Sequence, residues 1–410
     1  MLQYRNKGVF FYTQIRQFNK QYFSKKGLFD LSKIVTRKAR FMLESDGFSI
    51  HTFEISRKLT KSEWNYCKGK LYDQNQVSSK ICIYQESKGV HRVSQYEANS
   101  LRITLEHAHD QEDSRGYYVR MVVNPRKVID PGASYIGIFP PEKSSITELQ
   151  AAFHALLKSS AFNDQLDDYY LSRVDLCVNI RCDHKKIFRE VVRVLRKLPT
   201  PSKYKRVSRK EKDKKKANKY NKHYIKFQCG THSLVIYDKT YQVTEQGLQV
   251  DYEDLPEGVL RFEVQYQRSV LRGLEKKLNT DNPSELLWYL MQKSEKRICK
   301  HFEQCFADVQ FCQIEEIERR IMGSKYEDEI KQAMLEFTHR MQRKQSVDQV
   351  LEEMASEGFF VEDLLRKVHK LGCSPIPLWK NFCTQQIPGP VSLLRMISEG
   401  EVVILYQKMK

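Results

Sequence analysis

Side chains on a β-strand alternate between the two faces of its sheet, and five runs of this chain divide cleanly on that rule. In 101–106, Leu101, Ile103 and Leu105 oppose Arg102, Thr104 and Glu106. In 117–124, Val119, Met121 and Val123 oppose Arg120, Val122 and Asn124. In 173–179, Val174, Leu176 and Val178 oppose Arg173, Asp175, Cys177 and Asn179. In 233–239, Leu234 and Ile236 oppose Ser233, Val235, Tyr237 and Lys239; in 261–267, Phe262, Val264 and Tyr266 oppose Arg261, Glu263, Gln265 and Gln267. One face of each run is apolar and needs cover. This predicts an α+β fold: a largely antiparallel central sheet with helices on one face. Amphipathic helices expected at 146–158 and 185–198 supply that cover. An ordinary solvated face would mix Lys, Glu and Thr. This one gathers carboxylates, arginines and a tyrosine at strand centres, the mark of a functional face.

At 410 residues the chain has room for two or three domains of about 150 residues each. The pattern suggests an N-terminal basic region at 1–95, the alternating sheet domain at 96–275, and an all-helical C-terminal region at 276–410. The first region shows strand-like runs such as FSIHTFEI at 48–55 and no chemical motif. No window approaches the ~20 apolar residues of a membrane span, and residues 1–23 lack the apolar core of a secretory signal. Ten cysteines are scattered without a C-x-x-C pair, which excludes a zinc finger and argues against a disulfide scaffold. A cytoplasmic protein is expected. Its net charge of +18 favours a polyanionic partner.

Phosphodiester chemistry fits the polar face. Asp175 and Glu263 offer the oxygen ligands that Mg²⁺ or Mn²⁺ prefers, and Glu106 has the parity to join them. Arg173, Arg120 and Arg261 are suited to gripping phosphate bidentately. Tyr237 is a candidate nucleophile; a phenol is weak at neutral pH and needs a nearby cation, which Lys239 is placed to supply. A strand tyrosine taken alone is more often packing. The pair His107 and His109 flanks an expected turn, and the sequence reads them as turn neighbours rather than metal ligands.

Residues 203–226 carry twelve Lys or Arg against Glu211 and Asp213. The segment shows no apolar face. It is expected as a solvated surface loop or as a flexible phosphate-binding arm presenting Lys203, Lys205, Arg206, Arg209, Lys210, Lys214, Lys215 and Lys216, with Tyr204, Tyr220 and Tyr224 interleaved.

Four motifs in order resemble the Rep_trans family of rolling-circle replication initiators, relatives of conjugative relaxases. They are YVRMVVNPRK at 118–127, YYLSRVDLCVNI at 169–180, SLVIYDK at 233–239 and LRFEVQYQR at 260–268. They span about 98–275. The resemblance implies that Tyr237 is the nicking tyrosine, which becomes linked to a 5′ phosphate and leaves a 3′-OH primer. It implies that Asp175 and Glu263 are metal ligands and that Arg173 and Lys239 contact the scissile phosphate. Val122 stands where the family carries Glu, and Asn179 where it carries a second acid; the Asn179 carbonyl and Glu106 are the expected replacements. The partner so implied is origin DNA, single-stranded or extruded at the nick, with a host helicase and a second copy of the chain as further expected partners. A non-catalytic DNA-binding protein on the same fold is the alternative.

In the C-terminal third, helix starts are legible at Asn282-Pro283-Ser284 and at Ser346-Val347-Asp348. Three helices are expected over 325–371. The last two, about 346–357 and 361–371, admit a helix-turn-helix reading around Gly358 or a bundle that covers the sheet or pairs with a second copy. Residues 371–378 should form a loop, and Cys299, Cys305 and Cys312 should lie in or at the edge of the core.

Overall fold

A computed structural model describes residues 40–74, 81–84, 90–97, 101–108, 116–159, 162–208, 214–248, 257–344, 346–380, 382, 384–400 and 403–406. In chain order the elements are β1 (Arg40–Leu59), α1 (Lys61–Gln74), β2 (Ile81–Tyr84), β3 (Val90–Glu97), β4 (Leu101–Ala108), β5 (Tyr117–Val123), α2 (Pro125–Ile129), α3 (Lys143–Ser159), β6 (Tyr170–Cys182), α4 (Lys185–Arg196) and β7 (Lys205–Arg206). There follow α5 (Lys214–Asn221), β8 (Tyr224–Gln228), β9 (His232–Asp238), α6 (Lys239–Glu245), β10 (Gly258–Gln267), α7 (Arg268–Leu278), α8 (Pro283–Gln292) and α9 (Ser294–Cys305). The chain then runs through β11 (Gln310–Cys312), α10 (Ile314–Met322), α11 (Asp328–Arg343), α12 (Val347–Ser356), α13 (Leu364–Lys370), β12 (Gln386–Pro388), α14 (Pro390–Ser398) and β13 (Val403–Tyr406).

The sheet has eleven strands in the order β2-β3-β4-β5-β1-β6-β10-β9-β8-β7, with β13 added alongside β1. Every pairing in it is antiparallel. The apolar parity sets are buried as expected: Val174, Leu176 and Val178 on β6, Phe262, Val264 and Tyr266 on β10, Leu234 and Ile236 on β9. They form one cluster with Leu149, Phe153 and Leu157 of α3, Ile187, Val191 and Val194 of α4, and Ile298 and Phe302 of α9. Each such buried side chain stabilises the fold by about 1.5–3 kcal/mol relative to an exposed one.

The three-region division expected from the pattern does not describe how the sheet is built. β1, from the first region, lies between β5 and β6 at the centre. Its 48–55 run was visible as a strand, but its partners lie far along the chain in β5 and β6. β1 is twenty residues long and stays paired by slipping register between Ser45 and Phe48, where Gly47 takes φ +88°. A residue without Cβ adopts that conformation at little steric cost.

The C-terminal region is mostly helical rather than all-helical. β11 and β12 form a separate antiparallel ribbon, and β13 returns to pair with 40–43 of β1. α8, α9 and α14 pack on the central strands and share the cluster through Leu287, Leu290, Ile298 and Leu394. The α8 start is capped as read: Asn282 Oδ1 accepts from the Glu285 amide at 3.0 Å, with Pro283 at the first helical position. α11, α12 and α13 are the three expected helices. The turn between the last two runs over 357–363 and uses positive φ at both Gly358 and Asp363. The 371–378 segment is a loop, buried at Cys373, Ile376 and Leu378. Cys312 is buried, and Cys299 and Cys305 are half-buried. Among the described residues no helix is long and apolar enough to cross a membrane.

Candidate functional site

The site is built where five neighbouring strands, β1, β6, β10, β9 and β8, turn their polar parity sets to one face. Between β6 and β10 the register sets Asp175 opposite Gln265, Cys177 opposite Glu263 and Asn179 opposite Arg261. Tyr237 of β9 pairs with Arg261 on one side and with Tyr224 of β8 on the other. From β1, Thr52 lies opposite Asp175 and Glu54 opposite Arg173, with a register slip between Ile50 and Thr52. The slip makes His51 an extra residue in β1. Its ring reaches across β6, at the level of the small Cys177, to Glu263 on β10: His51 Nδ1 lies 3.2 Å from Glu263 Oε1.

Glu263 is the hub. The Tyr237 hydroxyl donates to Glu263 Oε1 at 2.6 Å, and Gln265 Nε2 donates to Oε2 at 3.3 Å. Lys226 Nζ in turn donates to Gln265 Oε1 at 3.0 Å. Beside the hub, Asp175 Oδ2 accepts from Thr52 Oγ1 at 2.6 Å, and Arg173 Nε stands 3.1 Å from Asp175 Oδ1. The ionic strip continues outward through Glu54, which lies 3.6 Å from Arg173 Nη1 and 3.4 Å from Arg120 Nε, to Glu106 at 3.4 Å from Arg120 Nη2. Opposite charges thus alternate across β6, β1, β5 and β4.

Burial sets the electrostatics. Tyr237 is 5% exposed and Glu263 3%. Desolvation, reinforced by the Glu263 charge, pushes the Tyr237 phenol well above its ordinary value. Burial lowers Lys239 well below the usual lysine range, with Arg261 adding to the shift, and lowers His51 for the same two causes. Asp175 is raised by desolvation in spite of Arg173. At rest the phenol is protonated and hydrogen-bonded to a carboxylate.

The expected site residues divide into those brought together and those not. Tyr237, Glu263, Asp175 and Arg173 converge. Asn179 does not serve as a ligand: its Oδ1 accepts from Arg261 Nε at 2.6 Å, and its Nδ2 donates to Asp46 Oδ2 at 3.0 Å and to the Ile136 carbonyl at 2.7 Å. These bonds tie that amide to β10, to β1 and to the 136 loop. Glu106 stands three strands from Asp175, paired with Arg120, and does not replace a lost carboxylate. Arg261 is no DNA contact, since it is wholly inaccessible. It is the buried cation beside Tyr237 and Glu263, tied to Asn179 and the Ile136 carbonyl. Lys239 begins α6, where its Nζ donates to Gln242 Oε1 at 2.9 Å and lies 6.0 Å from the Tyr237 ring centre. Arg120 remains half-exposed at the rim.

The basic segment is built into the sheet edge more than the composition suggested. β7 and α5 lie in it and β8 begins in it, and Ala217 and Ile225 are buried. Lys203 and Lys205 are exposed, but Arg206 points inward, donating to the carbonyls of Arg196 and Leu198 at the end of α4. Arg209 and Lys210 lie outside the described residues. Lys214, Lys215 and Lys216 open helix α5. Of the pair flanking the turn, His107 falls near the end of β4, and His109 lies outside the described residues.

Sequence reading missed His51, Thr52 and Glu54. The signal was present as the adjacent polar pair His51-Thr52, which breaks the alternation of 48–55 at the point where the register slips. Among the described residues no three His, Cys, Asp or Glu side chains converge as a metal cage. Mg²⁺ commonly needs only one or two carboxylates, completed by substrate phosphates and water. Asp175 Oδ1 is buried, and the Arg173 guanidinium stands 3.1 Å from it without the geometry of a hydrogen bond.

No family model matches the chain, and no curated protein matches it. Among solved structures it is similar to the rolling circle replication initiator protein from Geobacillus stearothermophilus, at 9% identity and a TM-score of 0.27, over 64% of this chain and 85% of that one. A likeness of that size carries no functional weight.

Proposed function

We propose that this chain is a DNA strand-nicking and rejoining protein of the replication-initiator kind, with Tyr237 as its nucleophile. The observation that carries the reading is the 2.6 Å hydrogen bond from the buried Tyr237 hydroxyl to Glu263 Oε1, beside the buried Arg261 and the half-buried Arg173 and His51. A phenol pushed upward by burial is a poor nucleophile until a base takes its proton. Glu263 Oε1 is placed to accept it as the phenolic oxygen attacks phosphorus. The P–O3′ bond breaks, a tyrosyl 5′-phosphoester forms, and the departing 3′ oxygen takes a proton from water to become a primer hydroxyl. Rejoining runs the same steps backwards. Arg261 stabilises the developing phenolate, and Arg173, half-buried at the rim, meets the phosphate. Asp175 and Glu263 would hold a Mg²⁺ or Mn²⁺ ion, which when bound neutralises charge on the phosphoryl oxygens.

A second reading rests on burial. Tyr237 is nearly inaccessible and its hydroxyl is already engaged, as in a DNA-binding relative that no longer cuts. Supercoiled DNA carrying the chain's own replication origin, incubated with Mg²⁺ or Mn²⁺, separates the two. A detergent-resistant covalent adduct is expected with the wild type and none with Tyr237→Phe. Origin binding without adduct under either metal would replace nicking with binding alone.

A further inference from the structure

The polar face does not end at Tyr237. Its register partner on the next strand is Tyr224, and the two ring centres lie 6.1 Å apart at 42°. Tyr220, in the last turn of α5, stands 5.2 Å from Tyr224 at 41°. Three aromatic rings thus step outward from the proposed nucleophile, from the buried Tyr237 to the half-buried Tyr224 and Tyr220. Lys226, which donates to Gln265, lies two residues along β8 on the same parity as Tyr224, and Tyr220 is flanked by the exposed Lys222 and by Lys219, whose Nζ pairs with Glu245 Oε2 at 3.0 Å. The neighbouring pair His223 and Tyr241 is different. Its rings are stacked at 3.7 Å and 7°, so each covers a face of the other. Stacking on aromatic faces beside lysines is how single strands are held without sequence readout.

We propose that Tyr224 and Tyr220 form a base-stacking track that carries a single DNA strand over the β8 edge to Tyr237. This rests on the reading that a DNA strand is the substrate. Both tyrosines are positioning residues. They act by orienting the nucleotides next to the scissile phosphate, whose in-line placement the attack requires.

The test is fluorescence anisotropy of the full chain with an end-labelled oligodeoxynucleotide across a salt series. Each of Tyr224→Leu and Tyr220→Leu should weaken binding by about five- to a hundredfold, the range of one lost base stack. The slope against salt should not change, because no phosphate contact is lost. Tyr224→Phe should bind as the wild type does, since the ring is kept. Lys219→Ala and Lys222→Ala together should flatten the salt slope instead. An oligonucleotide with one abasic position, moved stepwise along the strand, adds the decisive comparison. At one position the wild type should lose as much as Tyr224→Leu does, and Tyr224→Leu should lose nothing further. Wild-type binding that the leucine variants match, or leucine and abasic losses that simply multiply, would overturn the stacking track and leave the nicking reading intact. A wild type that binds no single strand at low salt would sink the nicking reading and the track with it.

Discussion

Phe262 and Arg261 are neighbours on β10 that point to opposite faces of the sheet, and both are fully buried. Phe262 meets Phe302 of α9 at 5.2 Å between ring centres, edge to face, in the cluster that helices close over. Arg261 meets Asn179, the Ile136 carbonyl, the Tyr237 phenol and the Glu263 charge. One face excludes water with apolar area, the other with paired charge. The apolar face gains from every contact. The polar face carries desolvation costs that its pairings only partly offset, so it is weak evidence of stability and better evidence of a task.

The sharpest way to break this comparison is to cut both neighbours. Phe262→Ala should cost about 3–5 kcal/mol through the cavity it leaves. Arg261→Met should cost a similar 3–5 kcal/mol, because Glu263, Asn179 and the Ile136 carbonyl lose their buried cation. The two differ in pH response. Urea unfolding at pH 5 and pH 8 should show the Arg261→Met penalty growing with pH and the Phe262→Ala penalty unchanged. An Arg261→Met variant as stable as the wild type would reduce the polar face to a replaceable ion network.

Acid and base should strain the faces in opposite directions. On the helix-covered side, His301 of α9 accepts or donates at 2.9 Å to the Tyr266 hydroxyl, and burial lowers it to about 4. Above its unfolded value near 6.5 it is neutral in both states and contributes no slope. As pH falls from 6.5 towards 4 the unfolded chain takes the proton and the folded chain does not. About 2–3 kcal/mol is then lost. His301→Phe should flatten that limb of the stability profile. Asp175 behaves in the opposite sense. Its folded value is raised above the ordinary 3.8, so its neutral form favours folding at low pH. That advantage is lost as pH rises from the unfolded value through the folded one. Asp175→Asn should therefore gain on the wild type in melting temperature as pH increases across that window.

The smallest expected effect on stability belongs to Tyr237→Phe. It removes one buried hydrogen bond while keeping the ring, and should cost about 1 kcal/mol in urea unfolding. A much larger loss would make Tyr237 a structural residue of the polar face.

Much of the fold was legible. Strand parity named the apolar residues of β4, β5, β6, β9 and β10 correctly, because a two-residue period follows from backbone geometry alone. The caps at Asn282 and Ser346 were visible for a similar reason: a side chain that satisfies an amide three residues on leaves a local signature. The candidate site was half legible. Tyr237, Glu263, Asp175 and Arg173 were named from parity and motif, and they converge. His51, Thr52 and Glu54 went unnoticed because the slip that inserts His51 interrupts the period used to find faces. Arg261 and Lys239 both lie deeper than expected, since parity tells which face a cation is on but not how deep it lies or which acid it meets.

The sequence by itself determined the local matters: which residues alternate, which stretches coil into amphipathic helices, where helices begin, and that one sheet face is polar. These depend on interactions within a few residues, where the backbone sets the geometry. Only the tertiary structure decided that β1 enters the middle of the sheet, that the 136 loop takes the Asn179 amide and the Arg261 guanidinium, and that Tyr237, Glu263, Asp175 and Arg261 are buried at the centre of the polar face. Those outcomes depend on partners that are 125 residues apart for Arg261 and Ile136 and 123 for Thr52 and Asp175. No local period encodes such pairings. They are chosen by which long-range register buries the most apolar surface while leaving the fewest charges unpaired.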